Sequence, residues 1–264
     1  MTTTVVIQAR TGSSRLPGKV LLEVAGAPVL QRMLERVTQA TRPDRVVVAT
    51  TEAPADDSIV DLARRAGVDC IRGHATDLLD RHLVAARATN ASAIVKIPSD
   101  CPLIDPATID LVIGHFLARA SELDFVSNLN PPTWPDGFDV EVMTRDALEI
   151  AARDARRSIE REHTTPFLWD NPDRFRCANV LLGGTLDYSL TYRLTLDFVE
   201  DYQVISAIYD ALWSPRYTFT LADIIALLAA DSTICAPNAH RIGATWISNH
   251  HGELRSLAHH GGLR

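Results

Sequence analysis

The chain has 264 residues and is 46% hydrophobic, which is sufficient to bury the core of one large, elaborated domain. Its net charge of −7 and its pI near 5.7 argue against nucleic acid as the main partner, because phosphate backbones are bound by basic surfaces. The sequence has no apolar run of about 18 residues and no signal-peptide pattern at its start, so we expect a cytoplasmic protein. The dispersed cysteines form no CxxC pair and indicate neither a zinc site nor a disulfide framework.

The first half of the chain alternates short apolar runs with segments of helical periodicity. These predict strands at residues 5–9, 45–50, 68–71 and 93–97, and helices at residues 29–39, 58–66, 78–87 and 106–120. This order predicts an α/β fold with a mostly parallel sheet and helices on both faces. In such sheets, ligands bind beyond the carboxyl ends of the strands. The loops at residues 10–19 and 98–102 follow two predicted strands, and we expect them to face one crevice.

The second half is less regular, because prolines between residues 131 and 135 interrupt the pattern. Beyond them we predict strands at residues 138–142, 176–182 and 191–196. Helices are predicted at residues 145–153, 201–212 and 221–230, with a further segment, helical at first, at residues 158–169. We expect this half to complete the same sheet and to add a substrate-binding lobe.

The loop after the first predicted strand concentrates three cations, Arg10, Arg15 and Lys19. Gly12 and Gly18 permit backbone angles that other residues avoid, so the strand can end abruptly at a turn with exposed amides. Such a loop suits a polyphosphate, and one of only two lysines in the chain lies in it. The alternative is a solvated turn whose charges bind nothing.

This loop does not follow the P-loop pattern of ATPases and GTPases. Five residues separate Gly12 from Gly18 where that pattern has four, and Val20 replaces the metal-binding Ser or Thr. A P-loop kinase or GTPase is therefore disfavoured.

Asp100 and Asp197 are the carboxylates best placed to hold a divalent cation, because each follows an apolar strand-like run. Magnesium prefers a few carboxylates together with phosphate oxygens and water. Capping of the next helix or turn explains such aspartates equally well from spacing alone. The histidines near the C-terminus favour a solvated tail over a metal site, because known zinc spacings are absent.

Several ordered segments together resemble one family of enzymes, the cytidylyltransferases of the spore coat polysaccharide protein SpsF type, which are relatives of the CMP-Kdo and CMP-sialic acid synthetases. The resemblance extends over essentially the whole chain. Its segments are IQARTGSSRLPGK, DLLDR, SDCPLIDP, PDGFDVEV, REHTTPF, TLDFVEDY and HGELRSL.

The resemblance implies a nucleotide-diphospho-sugar transferase fold of the GT-A-like, Rossmann-like class. It also implies Mg²⁺-dependent transfer of CMP from CTP to a sugar acid or related sugar, with release of pyrophosphate. In such an enzyme a sugar hydroxyl attacks the α-phosphorus, and catalysis comes mainly from alignment and charge neutralisation. The residues implied are Arg10, Gly12, Ser13, Arg15 and Lys19 for the triphosphate, Asp100 and Asp197 for Mg²⁺, and Lys19, Arg10, Asp100 and Asp197 for catalysis.

Substrate recognition leaves alternatives open. Asp136, Asp139 and Glu141 alternate with apolar residues, so they either face a cleft and bind hydroxyl groups or form an ordinary solvent-facing strand edge. Arg161, with His163 beside it, either receives a substrate carboxylate or forms an exposed helical ion pair.

Arg81 lies near a predicted helix start, where it either contacts the nucleotide or belongs to a helix that Asp77 caps.

We expect a single domain over residues 1–264. It comprises a nucleotide-binding half at 1–127, a substrate and dimerisation lobe at 128–190, and a closing part at 191–264 that carries the second metal aspartate. The resemblance leads us to expect a homodimer. Competing functions are the same fold using another nucleotide or a sugar 1-phosphate, a glycosyltransferase, and a non-catalytic nucleotide sensor. A glycosyltransferase normally needs a DxD-like motif, of which residues 139–141 are only a loose imitation.

Overall fold

The computed structural model describes residues 1–250 and 252–255. Its main sheet has seven strands, which we number in chain order and which lie side by side in the order β3-β2-β1-β4-β6-β5-β7. The strands are β1 (Thr3–Gln8), β2 (Arg45–Thr51), β3 (Asp69–Gly73), β4 (Ala93–Pro98), β5 (Phe125–Ser127), β6 (Glu141–Thr144) and β7 (Cys177–Asn179).

The sheet is mostly parallel, as the sequence predicts. Strand β1 pairs in parallel with both β2 and β4, β2 with β3, and β5 with β7. Only β6 runs against its neighbours, β4 and β5. The carboxyl ends of β1 and β4 are adjacent because Gln8 pairs with Pro98, so the two loops that follow them begin side by side.

Helices cover both faces of the sheet because successive strand residues point to opposite sides. Val5 and Ile7 of β1 belong to one buried apolar cluster, which includes residues of α1, α2, α4, α8 and α9, while Val6 belongs to a second cluster with α3, α5 and α7. The helices are α1 (Val29–Val37), α2 (Asp57–Arg65), α3 (Leu78–Ala88), α4 (Pro106–Ala118), α5 (Arg145–Asp154), α6 (Ser158–His163), α7 (Pro166–Trp169), α8 (Val199–Leu212), α9 (Leu221–Ala230) and α10 (Trp246–Asn249).

The long helices agree with the sequence prediction to within two residues at each end, and α9 agrees at both ends. The predicted strand at 191–196 is wrong: only one bridge forms there, between Arg193 and Asp136. Just beyond this bridge the chain turns at Gly137, whose φ is +103°, and a Cβ there would lie 2.4 Å from the carbonyl carbon of Leu194. The two backbones therefore touch once and diverge before a ladder can form.

Two other strand predictions need correction. The strand predicted at 176–182 is only three residues long, and the strand predicted at 138–142 begins at Glu141. Residues 138–140 instead form a loop in which the Asn128 side chain bonds the Phe138 carbonyl and the Val140 amide at 2.7 and 2.9 Å. A side-chain amide thus takes the place of a neighbouring strand.

The sequence prediction also missed elements too short or too irregular to show periodicity. They are strand β5, a small hairpin pairing Glu23–Val24 with Ala27–Pro28, helix α10 and a 3₁₀ helix at Ser232–Arg241. Of the C-terminal histidines, His250 is described, whereas residues 251, 259 and 260 lie outside the described part of the chain.

Within the described residues, no single helix is both long enough and apolar enough to cross a membrane. One strongly bent pair, Leu221–Ala230 with Ser232–Asn249, passes that test by length and composition only.

Candidate active site

A cavity of about 300 Å³ opens beyond the carboxyl ends of β1 and β4. It is bounded by the loop at residues 10–19, which we call the cationic loop, by the segment after β4, and by parts of the second half of the chain. The charged side chains that line it are Arg10, Arg15, Lys19, Arg81, Lys96, Asp100, Asp136, Asp139, Glu162, Arg193 and Asp197.

The cationic loop is held in shape by Asp56, a buried residue just before α2. One carboxylate oxygen of Asp56 accepts hydrogen bonds from the Thr11 amide and hydroxyl at 2.7 Å each, and the other accepts from the Thr51 hydroxyl. Burial alone would raise the pKa of Asp56, but these hydrogen bonds outweigh it and lower the pKa. Gly18 has a φ of +68° and requires glycine's freedom, whereas Gly12 does not adopt a positive φ.

Lys19 lies where the two predicted metal aspartates converge. Its ammonium nitrogen is 3.3 Å from Asp100 Oδ2 and 2.9 Å from Asp197 Oδ1, and it donates to the Leu196 carbonyl at 2.7 Å. Burial opposes the charge on Lys19, but the two carboxylates outweigh burial and raise its pKa. The structure therefore brings together three residues that lie up to 178 positions apart in the sequence.

Asp197 has a second cationic partner in Arg15, at 2.7 Å. Its pKa, which burial alone would raise, is lowered by Lys19 and Arg15. The Arg15 side chain is about half exposed and reaches Asp197 from the solvent side. A cation in that position can exchange its carboxylate for an incoming anionic ligand.

Arg193 is almost fully buried and connects Asp197 to Asp136 and Asp201. It makes a two-pronged ion pair with Asp201 at 2.9 and 3.1 Å, contacts Asp136 at 2.9 Å and lies 3.6 Å from Asp197. The sequence prediction missed this residue because an isolated arginine in an apolar stretch has no local signal. In the sequence it is simply the one charged residue of the segment 191–196, which was predicted to be a strand.

Asp136 and Asp139 both line the cavity, which corresponds to one of the two alternatives that the sequence left open. Burial raises the pKa of Asp136 to about 7 despite the opposing charge of Arg193. Burial, with the nearby charges of Asp136 and Asp100, raises the pKa of Asp139 well above its ordinary value. Protonated carboxyl groups can donate hydrogen bonds and ionised ones accept them, so this pair suits the hydroxyl groups of a polar ligand.

Glu141 does not reach the cavity. It is fully buried at the start of β6, where it pairs with Lys96 and accepts a hydrogen bond from the Thr165 hydroxyl at 2.6 Å. One carboxylate oxygen of Glu141 is held by Lys96 and the other by Thr165, so the side chain is occupied by buried partners and does not line the cavity. Lys96 itself lines the cavity.

Arg161 and Gly12 are likewise absent from the cavity lining. Arg161 bonds Asp77 at 2.7 Å and the Ala152 carbonyl at 2.7 Å, which ties α6 to the start of α3. Arg161 therefore forms an ion pair, but this pair is partly buried and joins two helices, whereas the sequence alternative was an exposed pair within one helix. His163, two residues further on, does line the cavity.

Arg10 and Arg81 both line the cavity, at the side formed by residues 74 and 75. The Arg81 guanidinium donates to the carbonyls of His74 and Ala75 at 2.8 to 3.0 Å, and Arg10 donates to the same Ala75 carbonyl at 3.2 Å. Burial, together with the charge of Arg10, lowers the pKa of Arg81 to about 10. Arg81 thus positions the loop on which Arg10 rests.

The fold and this cavity define a nucleotidyltransferase, and comparison with known proteins agrees. A family model described as "Cytidylyltransferase" matches residues 4–219. The spore coat polysaccharide biosynthesis protein SpsF of Bacillus subtilis is 30% identical over 228 residues, which cover 84% of this chain and 92% of SpsF. The 3-deoxy-manno-octulosonate cytidylyltransferase of Trichlorobacter lovleyi is 38% identical over 117 residues, 43% of this chain and 44% of that enzyme.

A solved cytidylyltransferase from Leptospira borgpetersenii superposes with a TM-score of 0.84 at 35% identity, over 89% of this chain and 97% of the other. The chain belongs to the cytidylyltransferase family and has its Rossmann-like nucleotide-diphospho-sugar transferase fold.

Proposed function

We propose that this protein transfers CMP from CTP to a hydroxyl group of a sugar acid or related sugar, with Mg²⁺ as cofactor and pyrophosphate as the second product. The product would be an activated sugar for the synthesis of a polysaccharide or glycoconjugate. Membership of the cytidylyltransferase family and similarity to SpsF and to a 3-deoxy-manno-octulosonate cytidylyltransferase support the proposal.

The observation that carries it is the meeting of Lys19, Asp100 and Asp197 at the mouth of the cationic loop. Two carboxylates that converge on one ammonium group also suit a divalent cation, and hard oxygen donors are what Mg²⁺ prefers. Asp100 is 30% exposed, so it is open to such an ion from the cavity. A bound Mg²⁺ would act as a Lewis acid that neutralises charge on the reacting phosphates.

The residues of the chain have separate tasks in this proposal. Arg10 and Arg15 bind the β- and γ-phosphates, and Arg15 gives up its contact with Asp197 when they arrive. Lys19 neutralises charge as pyrophosphate departs, and its fixed position means that no reorganisation is needed during the reaction. Ser13 and the loop amides complete the phosphate contacts, while Asp136, Asp139 and His163 face the acceptor.

The test is pyrophosphate release from each nucleoside triphosphate in the presence of Mg²⁺ and a panel of sugar acids and neutral sugars. We expect release with CTP and at least one sugar, and we expect chelation with EDTA to abolish it and excess Mg²⁺ to restore it. Faster turnover with another nucleotide would contradict the choice of CTP, and nucleotide binding without turnover would favour a non-catalytic protein.

A substitution at the proposed metal site sharpens this test. Asp100→Asn should lower the rate by roughly 10²- to 10³-fold, because it removes a carboxylate ligand of the proposed Mg²⁺, whose charge would stabilise the reacting phosphates. Asp61→Asn is the matched control, because Asp61 is an exposed carboxylate in α2 whose recorded ion pair is with Arg64. Equal rates for the two variants would exclude a catalytic role for Asp100.

We further propose a cytoplasmic homodimer that uses the region 128–190. Three large apolar side chains there, Leu181, Leu186 and Leu190, are 52%, 52% and 74% exposed. Association through this surface would remove them from water. Sedimentation equilibrium would contradict the proposal if the protein were monomeric at micromolar concentration.

A further inference from the structure

One side of the active-site cavity is formed by residues that lie beyond the family match. The match ends at residue 219, yet Ala244, Thr245, Trp246, Asn249 and His250 all line the cavity. We call these five residues the C-terminal wall. They belong to α10 and its two ends, so they form one continuous surface.

The C-terminal wall is fixed to the rest of the protein just before it and along α10. Before it, the Arg241 guanidinium stacks on Phe198 at 3.7 Å and pairs with Glu200 at 3.1 Å. Along it, Trp246 and Ile247 pack against the small cluster of Ile159 and Leu254. The wall therefore spans from the start of α8 to α6, across the cavity.

Two contacts place the wall on the side of the cavity that holds Asp136. The Ala244 carbonyl accepts a hydrogen bond from Arg193 at 3.0 Å, and the same guanidinium nitrogen pairs with Asp136. The Trp246 ring stacks on His163, with centroids 4.3 Å apart and planes 10° apart. Arg10 and Arg81 lie instead on the 74–75 loop at the other rim.

The chemistry of this stacked pair differs from that of the cationic loop. Burial lowers the pKa of His163 to about 3, with a further contribution from Lys96, so its ring is neutral at physiological pH. Neutral rings cannot attract a phosphate by charge. Because Trp246 also packs against Trp169, with centroids 5.5 Å apart, the pair offers the cavity its remaining apolar surface rather than open ring faces. The exposed Asn249 amide adds two donors and an acceptor. Such a surface suits a ligand with an apolar ring face and several hydroxyl groups.

We propose that the C-terminal wall, together with His163, binds the sugar acceptor and selects among sugars, with Trp246 and Asn249 as its specificity-determining residues. The inference rests on the proposed function, because it assigns the acceptor of that reaction to a particular surface. Asn249 hydrogen-bonds a hydroxyl of the sugar, and the Trp246–His163 pair excludes water from one face of its ring.

The experiment compares Trp246→Leu and Asn249→Ala with Trp213→Leu, a control tryptophan that lines a different cleft. The acceptor is the sugar of the panel that gives the fastest pyrophosphate release with wild-type protein. KM for this sugar should rise about fivefold in Asn249→Ala, the effect of one hydrogen bond, and about tenfold in Trp246→Leu. The Kd for CTP, measured by calorimetry without sugar, should stay within about twofold, and Trp213→Leu should change neither constant.

Asn249 is exposed, so its variant tests the proposal even if Trp246→Leu proves unstable. A weaker Kd for CTP with an unchanged KM for the sugar would show that the wall binds the nucleotide instead. Unchanged constants in both variants would show that the wall does not select the acceptor. No pyrophosphate release by the wild-type protein with any sugar would overturn the proposed function itself, before any variant is compared.

Discussion

Two clefts in the described part of the protein are lined by cationic and aromatic side chains, and the partners of Lys19 and Arg15 in the first differ from those of Arg36 in the second. In the active-site cavity, Lys19 and Arg15 are held chiefly by carboxylates. In the second cleft, a cavity of about 520 Å³ between α1 and the segment that joins α8 to α9, Arg36 is held by backbone carbonyls. A carboxylate can transfer to a metal ion and free its cation for a ligand, whereas a backbone carbonyl within a folded loop cannot leave.

The second cleft shows what a structural arginine looks like. Arg36 donates to the carbonyls of Ile104, Leu103 and Phe219 at 2.8 to 2.9 Å, and its guanidinium stacks on the Phe219 ring at 4.0 Å. Arg32 covers the Trp213 ring at 4.3 Å in the same way. Positive charge and aromatic rings in a cleft therefore do not by themselves indicate a ligand site; what distinguishes Lys19 and Arg15 from Arg36 is that their partners include carboxylates.

The largest effect should come from Lys19→Met. The substitution removes the cation between Asp100 and Asp197, and we expect kcat to fall by roughly 10²- to 10³-fold, because a preorganised charge at the departing phosphate is lost. Steady-state pyrophosphate release measures the rate, and the melting temperature confirms that the variant is folded. A variant that retained more than a tenth of the activity would show that the cation partnered by carboxylates is not catalytic.

Arg36→Met should show the opposite pattern. Three carbonyls lose their charged donor, so we expect the free energy of unfolding to fall by about 3 kcal/mol. Activity per folded molecule should change little, because the loop after Asp100 keeps other anchors: Tyr209 donates to the Pro102 carbonyl at 2.8 Å, and Asp105 caps α4. Urea unfolding and kcat, measured on the same preparation, check both parts. A large loss of kcat in the folded variant would show that Arg36 contributes to catalysis despite its backbone partners, and the two clefts would then not differ in this respect.

The smallest effect is the change in stability for each unit of pH. The pKa of Asp136 is about 7 in the folded protein and near 3.8 when unfolded, so folding favours its protonated form. Between these two pH values Asp136 is ionised in the unfolded chain and protonated in the folded protein. Its contribution to the free energy of unfolding is therefore greatest at low pH and declines as the pH rises. Relative to Asp136→Asn, which retains an acceptor for Arg193, the wild-type free energy of unfolding should fall by at most ~1.4 kcal/mol per pH unit from pH 4 to 7.

Urea titrations of both proteins at several pH values measure this difference. If the wild-type free energy of unfolding rose with pH relative to that of Asp136→Asn, Arg193 would be keeping Asp136 ionised in the folded protein. A corresponding substitution of Arg36 should leave the pH dependence unchanged, since arginine stays charged throughout this range.

The sequence predicted the parts of the molecule in which local pattern and tertiary structure agree. The parallel strands and long helices carry their periodicity in consecutive residues, and the cationic loop is a single segment, so both could be predicted. The closeness of Lys19 and Asp100 followed from the rule that carboxyl ends of parallel strands share one edge. Asp197 follows no strand in the structure, so its assignment to the same site came from the family resemblance.

The parts that could not be predicted depend on partners that lie far apart in the chain. Glu141 alternates with apolar residues as a cleft residue would, but its carboxylate is held by Lys96 and Thr165, which lie 45 and 24 positions away in the sequence. Arg161 had an equally ordinary alternative, and its contact with Asp77 spans 84 positions. The C-terminal wall lies in a segment without clear periodicity, so no local pattern connected Trp246 with His163.

The backbone contact at Gly137 has a consequence for how this site could change. Because the 136–137 turn lies directly against residues 194–195, with no room for even a methyl group, the distance from Asp136 to the Asp197 end of the site is set by main-chain geometry. An insertion or a larger residue at the turn would push Asp136 away from residues 194–195 and so change its distance from Asp197. The acceptor preference of the proposed reaction could therefore be changed through side chains on the other side of the cleft, while the main-chain spacing of the site stays the same.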